Sequence, residues 1–279
     1  MLTYASLASG SSGNAALVSC GSTHILLDAG ISARRITAGL KSLGVDPAAL
    51  TAILVTHEHH DHIAGLAVLT KKLRVPVIAS APTCRQLCGR IPTLDGLLRE
   101  QAPGTGMQLG GLWVESFSTP HDAAGSVGYS IAADGCRVVL CTDLGYVTPQ
   151  VKQAVTGCDL LVCETNHDED WVRSGPYPYA LKQRVLGDYG HLSNEAGAEL
   201  AALAVQSGAR TVVLAHLSSE NNTPAHARQA VCRRLCRDGI DPERDLSLTV
   251  APRNETGPVY HLDKGRDTRA FRLREAVLC

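Results

Sequence analysis

Aromatic residues make up only 4% of this chain, with two Trp and two Phe among 279 residues. A core must therefore be built mostly from Leu, Val, Ala and Ile. Charge of either sign is not in excess. The formal net charge of -1 argues against a broadly basic surface that wraps nucleic acid. No apolar run approaches the ~20 residues that a bilayer-spanning helix needs, so no membrane segment is expected. No basic segment followed by an apolar stretch opens the chain, so no secretory signal is expected either. Ten cysteines are present, yet no two are spaced as Cys-x-x-Cys. Cys84/Cys88 and Cys232/Cys236 lie one helical turn apart, and Cys136, Cys141, Cys158 and Cys163 sit in or beside apolar runs. That arrangement reads as buried thiols in a reducing compartment. The expectation is a soluble, cytoplasmic protein.

What is present is enough for a sizeable core: 44% hydrophobic residues against 19% charged. Alternating segments at 2–8, 15–19 and 24–28, separated by glycines, read as a β-meander. Helices are expected over 32–43, 61–73, 82–88, 180–186, 194–207 and 224–237. Further strands are expected at 51–56, 77–79, 113–118, 127–132, 137–141, 160–163 and 211–215. Many strand connections are hairpin-short, so the sheets must be mixed, and two sheets between helices fit better than one doubly wound sheet. The organisation expected is one hydrolase domain over residues 1–262 and a basic tail over 263–279. Lys264, Arg266, Arg269, Arg272 and Arg274 crowd that tail, which reads equally as a nucleic-acid strip or as a solvated end.

The densest chemistry lies in His57-Glu58-His59-His60-Asp61-His62, directly after a short apolar strand. On extended backbone, residues i and i+2 point the same way, so His57 and His59 can reach one ion. Asp61 and His62 follow where the chain turns into a helix, close enough to serve a second ion about 3.5–4 Å away. Burying these groups without a metal or partners would cost several kcal/mol. His60 falls between the ligand positions and is read as a non-ligand.

This run resembles the signature of the metallo-β-lactamase superfamily, whose other motifs follow in order. Asp28 in Leu-Leu-Asp-Ala-Gly is similar to an early aspartate that orients ligands. His121, Asp143 and His216 resemble, in turn, the third histidine of one metal, the aspartate bridging both, and the last histidine. The resemblance implies an α+β sandwich of two mixed β-sheets flanked by helices. It assigns His57, His59, His121 and Asp143 to one ion, and Asp61, His62, Asp143 and His216 to the other. Two divalent ions per chain are implied, and nitrogen and carboxylate donors suit zinc, manganese or iron equally. Cys141 shares the face of Asp143 and is read as packing.

Gly190-His191-Leu192-Ser193-Asn194 resembles a motif of transfer-RNA 3′-end nucleases in which the histidine is a general acid steadied by a carboxylate. Glu164 occupies the matching place for that carboxylate. The alternative for His191 is a polar residue at a helix start, with Ser193 or Asn194 as cap. Only 143 − 121 = 22 positions separate the third histidine from the bridging aspartate, too few for the arm of those nucleases. The next interval, 216 − 143 = 73 positions, holds no cap domain of the RNA-processing kind. What remains is similar to the compact WalJ/YycJ family of bacterial hydrolases, through the segments 6–14, 190–194 and 216–222. That resemblance implies a 5′-to-3′ exonuclease with DNA as substrate. It uses a hydroxide shared by the metals, Asp61 as proton acceptor and His191 as proton donor. Ser9, Ser11, Asn14 and Asn221 are the expected substrate contacts, although the Ser/Gly loop reads equally well as a tight hairpin. A lactonase or thioesterase is the alternative, and a metal-loaded binding protein without turnover the least favoured reading.

Overall fold

A computed structural model describes residues 1–264. Among them, one mixed sheet contains seven strands in the order β14-β1-β2-β3-β4-β5-β6. These are β1 (Leu2–Ala8), β2 (Ala15–Cys20), β3 (Thr23–Leu27), β4 (Ala52–Leu54), β5 (Val77–Ala79), β6 (Leu98–Glu100) and β14 (Tyr260–Leu262). The second sheet runs β13-β12-β11-β10-β9-β8-β7. Its members are β7 (Gly106–Leu109), β8 (Leu112–Ser118), β9 (Val127–Ala133), β10 (Cys136–Cys141), β11 (Leu160–Glu164), β12 (Thr211–Ala215) and β13 (Ser247–Val250). Each sheet is antiparallel at one side and parallel at the other. The switch falls between β2/β3 and β3/β4 in the first sheet, and between β9/β10 and β10/β11 in the second.

Three apolar layers hold the sandwich. Between the sheets, Tyr4, Val18, Leu27 and Leu54 meet Tyr129, Ile131, Val138 and Val162. Outside the first sheet, α1 (Ala33–Ser42), α3 (Leu66–Lys72) and α4 (Ala81–Arg90) cover Leu26, Ile53 and Val77. Outside the second, α5 (Pro149–Val155), α8 (Asn194–Gln206) and α9 (Pro224–Arg237) cover Val139, Leu161 and Val212. Helix, sheet, sheet, helix is the α+β architecture that the mixed pattern implied. Three short helices, α2 (His60–Ile63), α6 (Glu169–Ser174) and α7 (Tyr179–Leu186), stand apart from these layers.

Two departures from the sequence reading fix the path of the histidine run. The strand expected over 51–56 stops at Leu54, because the Thr56 N–H is claimed by Asp28 Oδ1 at 2.8 Å. The helix expected over 61–73 breaks at Gly65, whose N–H donates to Ala29 O at 2.8 Å. A Cβ at Gly65 would stand 2.2 Å from Ile31 O, so only glycine admits the crossing of segment 29–31. Ala29 N also donates to His62 O, which ties the histidines to the end of β3. Edge strands β6, β7, β13 and β14 and helices α5 and α6 carry no clear mark in the sequence. They span three to seven residues, too few for a period to show. Apart from Lys264, the basic residues named in the tail lie outside the described residues. No helix among the described residues is long and apolar enough to cross a membrane.

Candidate metal centre

Strands β3, β4, β8, β10, β11 and β12 all end at one edge of the sandwich. Asp28, His57, His121, Asp143, Glu164 and His216 stand on or just after those ends. Asp28, Asp143 and His216 take φ of 56°, 61° and 57°, left-handed values uncommon outside glycine. Each strand thus turns sharply as it delivers its side chain.

Three ring nitrogens meet first. His57 Nε2 lies 3.0 Å from His59 Nδ1, and His121 Nε2 lies 3.2 Å from it. Their outer nitrogens settle which tautomer is present. His121 Nδ1 faces Gly190 O at 3.0 Å and must carry the proton. The Thr56 hydroxyl gives its proton to Asp28, so Thr56 Oγ1 accepts from His57 Nδ1 at 3.0 Å. Both Nε2 atoms therefore turn bare lone pairs inward. Burial first, and neighbouring histidines second, hold His57 well below its ordinary value, and burial lowers His121 as well. Neutral imidazoles sharing one point are poised for a cation.

A second group adjoins the first. His62 Nδ1 donates to Asp28 Oδ2 at 2.8 Å, which leaves Nε2 3.4 Å from both Asp61 Oδ2 and Asp143 Oδ2. His216 Nδ1 donates to Glu164 Oε1 at 2.8 Å, and its Nε2 lies 3.3 Å from Asp61 Oδ2. Burial opposes protonation of both rings, but the carboxylates win. Asp143, Asp28 and Asp61 hold His62 well above its ordinary value, while Asp143, Asp61 and Glu164 raise His216 to about 10. The field that draws protons to these nitrogens would equally draw a metal ion.

Asp143 lies between the two groups, its Oδ1 3.7 Å from His121 and its Oδ2 facing His62. Its Oδ2 is buried and has no hydrogen-bond partner. An orphaned carboxylate oxygen of this kind is costly unless a cation satisfies it. Together with the converging lone pairs, it shows that these residues fit metal ions. Glu164 does not fit as a ligand: its Oε1 accepts from His191 and His216, its Oε2 from Leu144 N and Leu192 N. Against the upward push of burial, His191 and His216 keep the carboxyl well below the usual range.

The histidines open onto a cavity of about 330 Å³. His191 lines it, with Nδ1 anchored on Glu164 Oε1 at 2.9 Å. His60 also lines it but joins neither group of nitrogens. Of the four expected substrate contacts, Ser11 alone lines this cavity. Ser9 Oγ accepts from His216 N at 2.9 Å, and Asn14 binds both backbone groups of Gly10 and lies 3.2 Å from His62 Nε2. Asn221 is buried away from the lining. Cys141 is fully buried in the core, beside Val139 and Leu161. Several residues escaped the sequence reading. Asn166 lines the cavity and donates to His216 O at 2.7 Å, and Arg184 pairs with Asp122 beside His59 and His121. The Glu-Thr-Asn-His segment could have signalled Asn166, whereas nothing local marks Arg184.

A model of the beta-lactamase superfamily domain matches residues 23–217. The chain belongs to the metallo-β-lactamase superfamily. Within that superfamily it is 37% identical to the exodeoxyribonuclease YycJ of Bacillus anthracis over 242 residues, 86% of this chain and 91% of that protein. It is likewise 37% identical to the exodeoxyribonuclease WalJ of Streptococcus pneumoniae over 250 residues, 88% and 92% of the two chains. The crystal structure of YhfI from Bacillus subtilis, a metallo-β-lactamase fold protein, superposes with a TM-score of 0.68. It covers 93% of this chain and 98% of its own at 17% identity, a likeness of fold. This chain is thus a metallo-β-lactamase-fold hydrolase homologous to exodeoxyribonucleases.

Proposed function

We propose that the protein is a two-metal phosphodiesterase that degrades DNA exonucleolytically from 5′ to 3′. The observation that carries this reading is the His191–Glu164 pair, a histidine facing the cavity and held by a buried carboxylate. A metal site alone serves lactams, thioesters and phosphodiesters alike. A proton donor held by a carboxylate beside it suits a poor leaving group such as a sugar oxygen. The exodeoxyribonuclease relatives support DNA as the substrate class.

In this reading His57, His59, His121 and Asp143 hold one ion, and Asp61, His62, Asp143 and His216 the other. Bound divalent ions would activate water and offset the charge gathering on the phosphoryl oxygens. Asp28 keeps His62 in the tautomer that presents Nε2, and Thr56 does the same for His57. Asp61 stays ionised, because His62 and His216 outweigh the effect of burial on it. It orients the attacking water and takes its proton. His191 protonates the departing oxygen while Glu164 steadies the imidazolium. Ser11 lies where it can reach the substrate backbone, while Ser9 and Asn14 fix the loop against His216 and His62.

The test is digestion of 5′-labelled and 3′-labelled DNA, single- and double-stranded, with Zn²⁺, Mn²⁺ or Fe²⁺ restored after chelation. Release of 5′-terminal label as mononucleotide ahead of 3′ label is the expected result. Inert DNA together with efficient lactone or thioester turnover would establish the small-molecule alternative.

A further inference from the structure

One wall of the cavity is built by α7 and the turn that enters it: Tyr177, Leu181, Arg184 and Val185. Leu181 and Val185, four residues apart, share one face of the helix, and Tyr177 joins them from the turn before it. Yet α7 has no buried residue along its whole length. A helix that presents apolar side chains to a cavity, and gives none to the core, has its face left for something else to cover. Arg184 stands on the same wall and is the one Lys or Arg among the lining residues. Asp122 occupies part of its guanidinium fork, and the remaining N–H groups are left for an anion.

The nearby rim carries the same character. Tyr146 and Tyr189 are 48% and 63% exposed in a chain with few aromatics to spare. Their loops touch: a Cβ on Gly145 would stand 2.2 Å from Asp188 O, so the two tyrosines follow adjacent points of backbone contact. Asp122 N donates to Tyr189 O, which ties this rim to the Asp122–Arg184 pair.

We infer that the α7 wall seats the base of an unpaired 5′-terminal nucleotide, with its phosphate turned toward Arg184 and the metal nests. The inference rests on the nuclease reading and names the form of substrate that reading takes. Every base has a flat π-face that tyrosine and apolar side chains can stack against without regard to sequence. A terminal base that stays paired keeps its inner face on the next pair and carries its partner with it. A cavity of about 330 Å³ lies at the small end of those that take small ligands, suited to a single nucleotide and not to a base pair. The terminal nucleotide must therefore leave its partner before it is cut.

The test uses the metal-loaded enzyme and matched 5′-phosphorylated oligonucleotides that carry either a normal base or an abasic residue at the 5′ end. The wild-type protein should favour the intact end roughly tenfold, mainly through KM. In Tyr177→Ala that ratio should fall toward one, and Tyr177→Phe should restore it. Duplexes with a mismatched 5′ end should be cut faster than those closed by a G·C pair. A wild-type ratio of one, which needs no variant to fold, would overturn the inference while the nuclease reading stands. So would Tyr177→Ala slowing both substrates with the ratio preserved. If the wild-type protein cleaves no DNA at all, the nuclease reading fails and takes this inference with it.

Discussion

His191 and His216 are tied to one oxygen: Glu164 Oε1 accepts from His191 Nδ1 at 2.9 Å and from His216 Nδ1 at 2.8 Å. The proposed proton donor and a proposed metal ligand therefore share a single carboxylate. Glu164→Gln cannot be a mild change. Its amide NH₂ would face the Leu144 and Leu192 N–H groups, donor against donor. The variant should lose about 10- to 100-fold in affinity for the ion at His216, as well as rate on DNA. A metal titration with unchanged affinity would separate the two roles and refute the coupling.

His191→Ala removes the proposed donor and none of the proposed metal ligands. Its rate on DNA should fall about 10²–10⁴-fold while metal content holds. The deficit should shrink on bis(p-nitrophenyl) phosphate, whose leaving group needs little protonation. Equal losses on both substrates, or a lost ion, would make His191 a clamp or a ligand.

His59 Nδ1 is the point on which His57 and His121 converge. Elemental analysis should find two divalent ions per wild-type chain and fewer in His59→Ala. Absence of metal from the reconstituted wild-type protein would remove the basis of the whole assignment.

His167 offers a pH test apart from the proposed metal ligands. Burial pulls its imidazole down to about 4, so the folded protein keeps it neutral where the unfolded chain, near 6.5, would charge it. Between those values the unfolded state binds more protons, and stability must fall as pH falls from about 6.5 to 4. The shift corresponds to roughly 3 kcal/mol as an upper limit. His167→Asn, compared with wild type by urea denaturation at pH 7 and pH 4.5, should lose less stability on acidification. Parallel losses in the two proteins would refute it.

Thiol chemistry should follow burial. Cys88 and Cys236 are exposed, while Cys84, Cys141, Cys158 and Cys163 are buried. Burial pushes Cys84 up to about 11 and Cys158 to about 12, which leaves little thiolate at neutral pH. Among the described cysteines, alkylation mapped by mass spectrometry should mark Cys88 and Cys236 first, with the buried set reacting only after denaturation.

The histidine run, its strand and the strand-end aspartates were legible because chemistry and periodicity coincide there. His57, His59 and His62 stand within six residues after an apolar strand, and no packed core explains such a cluster. The αββα layering was implied by the family resemblance, and the short connections between alternating segments pointed the same way. What escaped depends on long-range contact. Thr56 looks like any strand residue until Asp28 meets it. Ser9 and Asn14 lie in a loop that reads as a phosphate cradle, but the fold turns them toward site residues. The α7 wall is the extreme case: its residues sit some sixty positions from Asp122, the partner that fixes Arg184.

The left-handed turns at Asp28, Asp143 and His216 set evolution two opposed tasks. A non-glycine residue in that conformation costs the native state about 1 kcal/mol or more, and all three lie at the site itself. Glycine would relax each backbone and remove the side chain on which the proposed chemistry depends. Asp28 and His216 offset that cost with buried hydrogen bonds, so a screen for thermal tolerance alone would be drawn to Asp143, whose Oδ2 has no partner. The variant it rewarded would be a sturdier protein without the carboxylate that faces both groups of nitrogens.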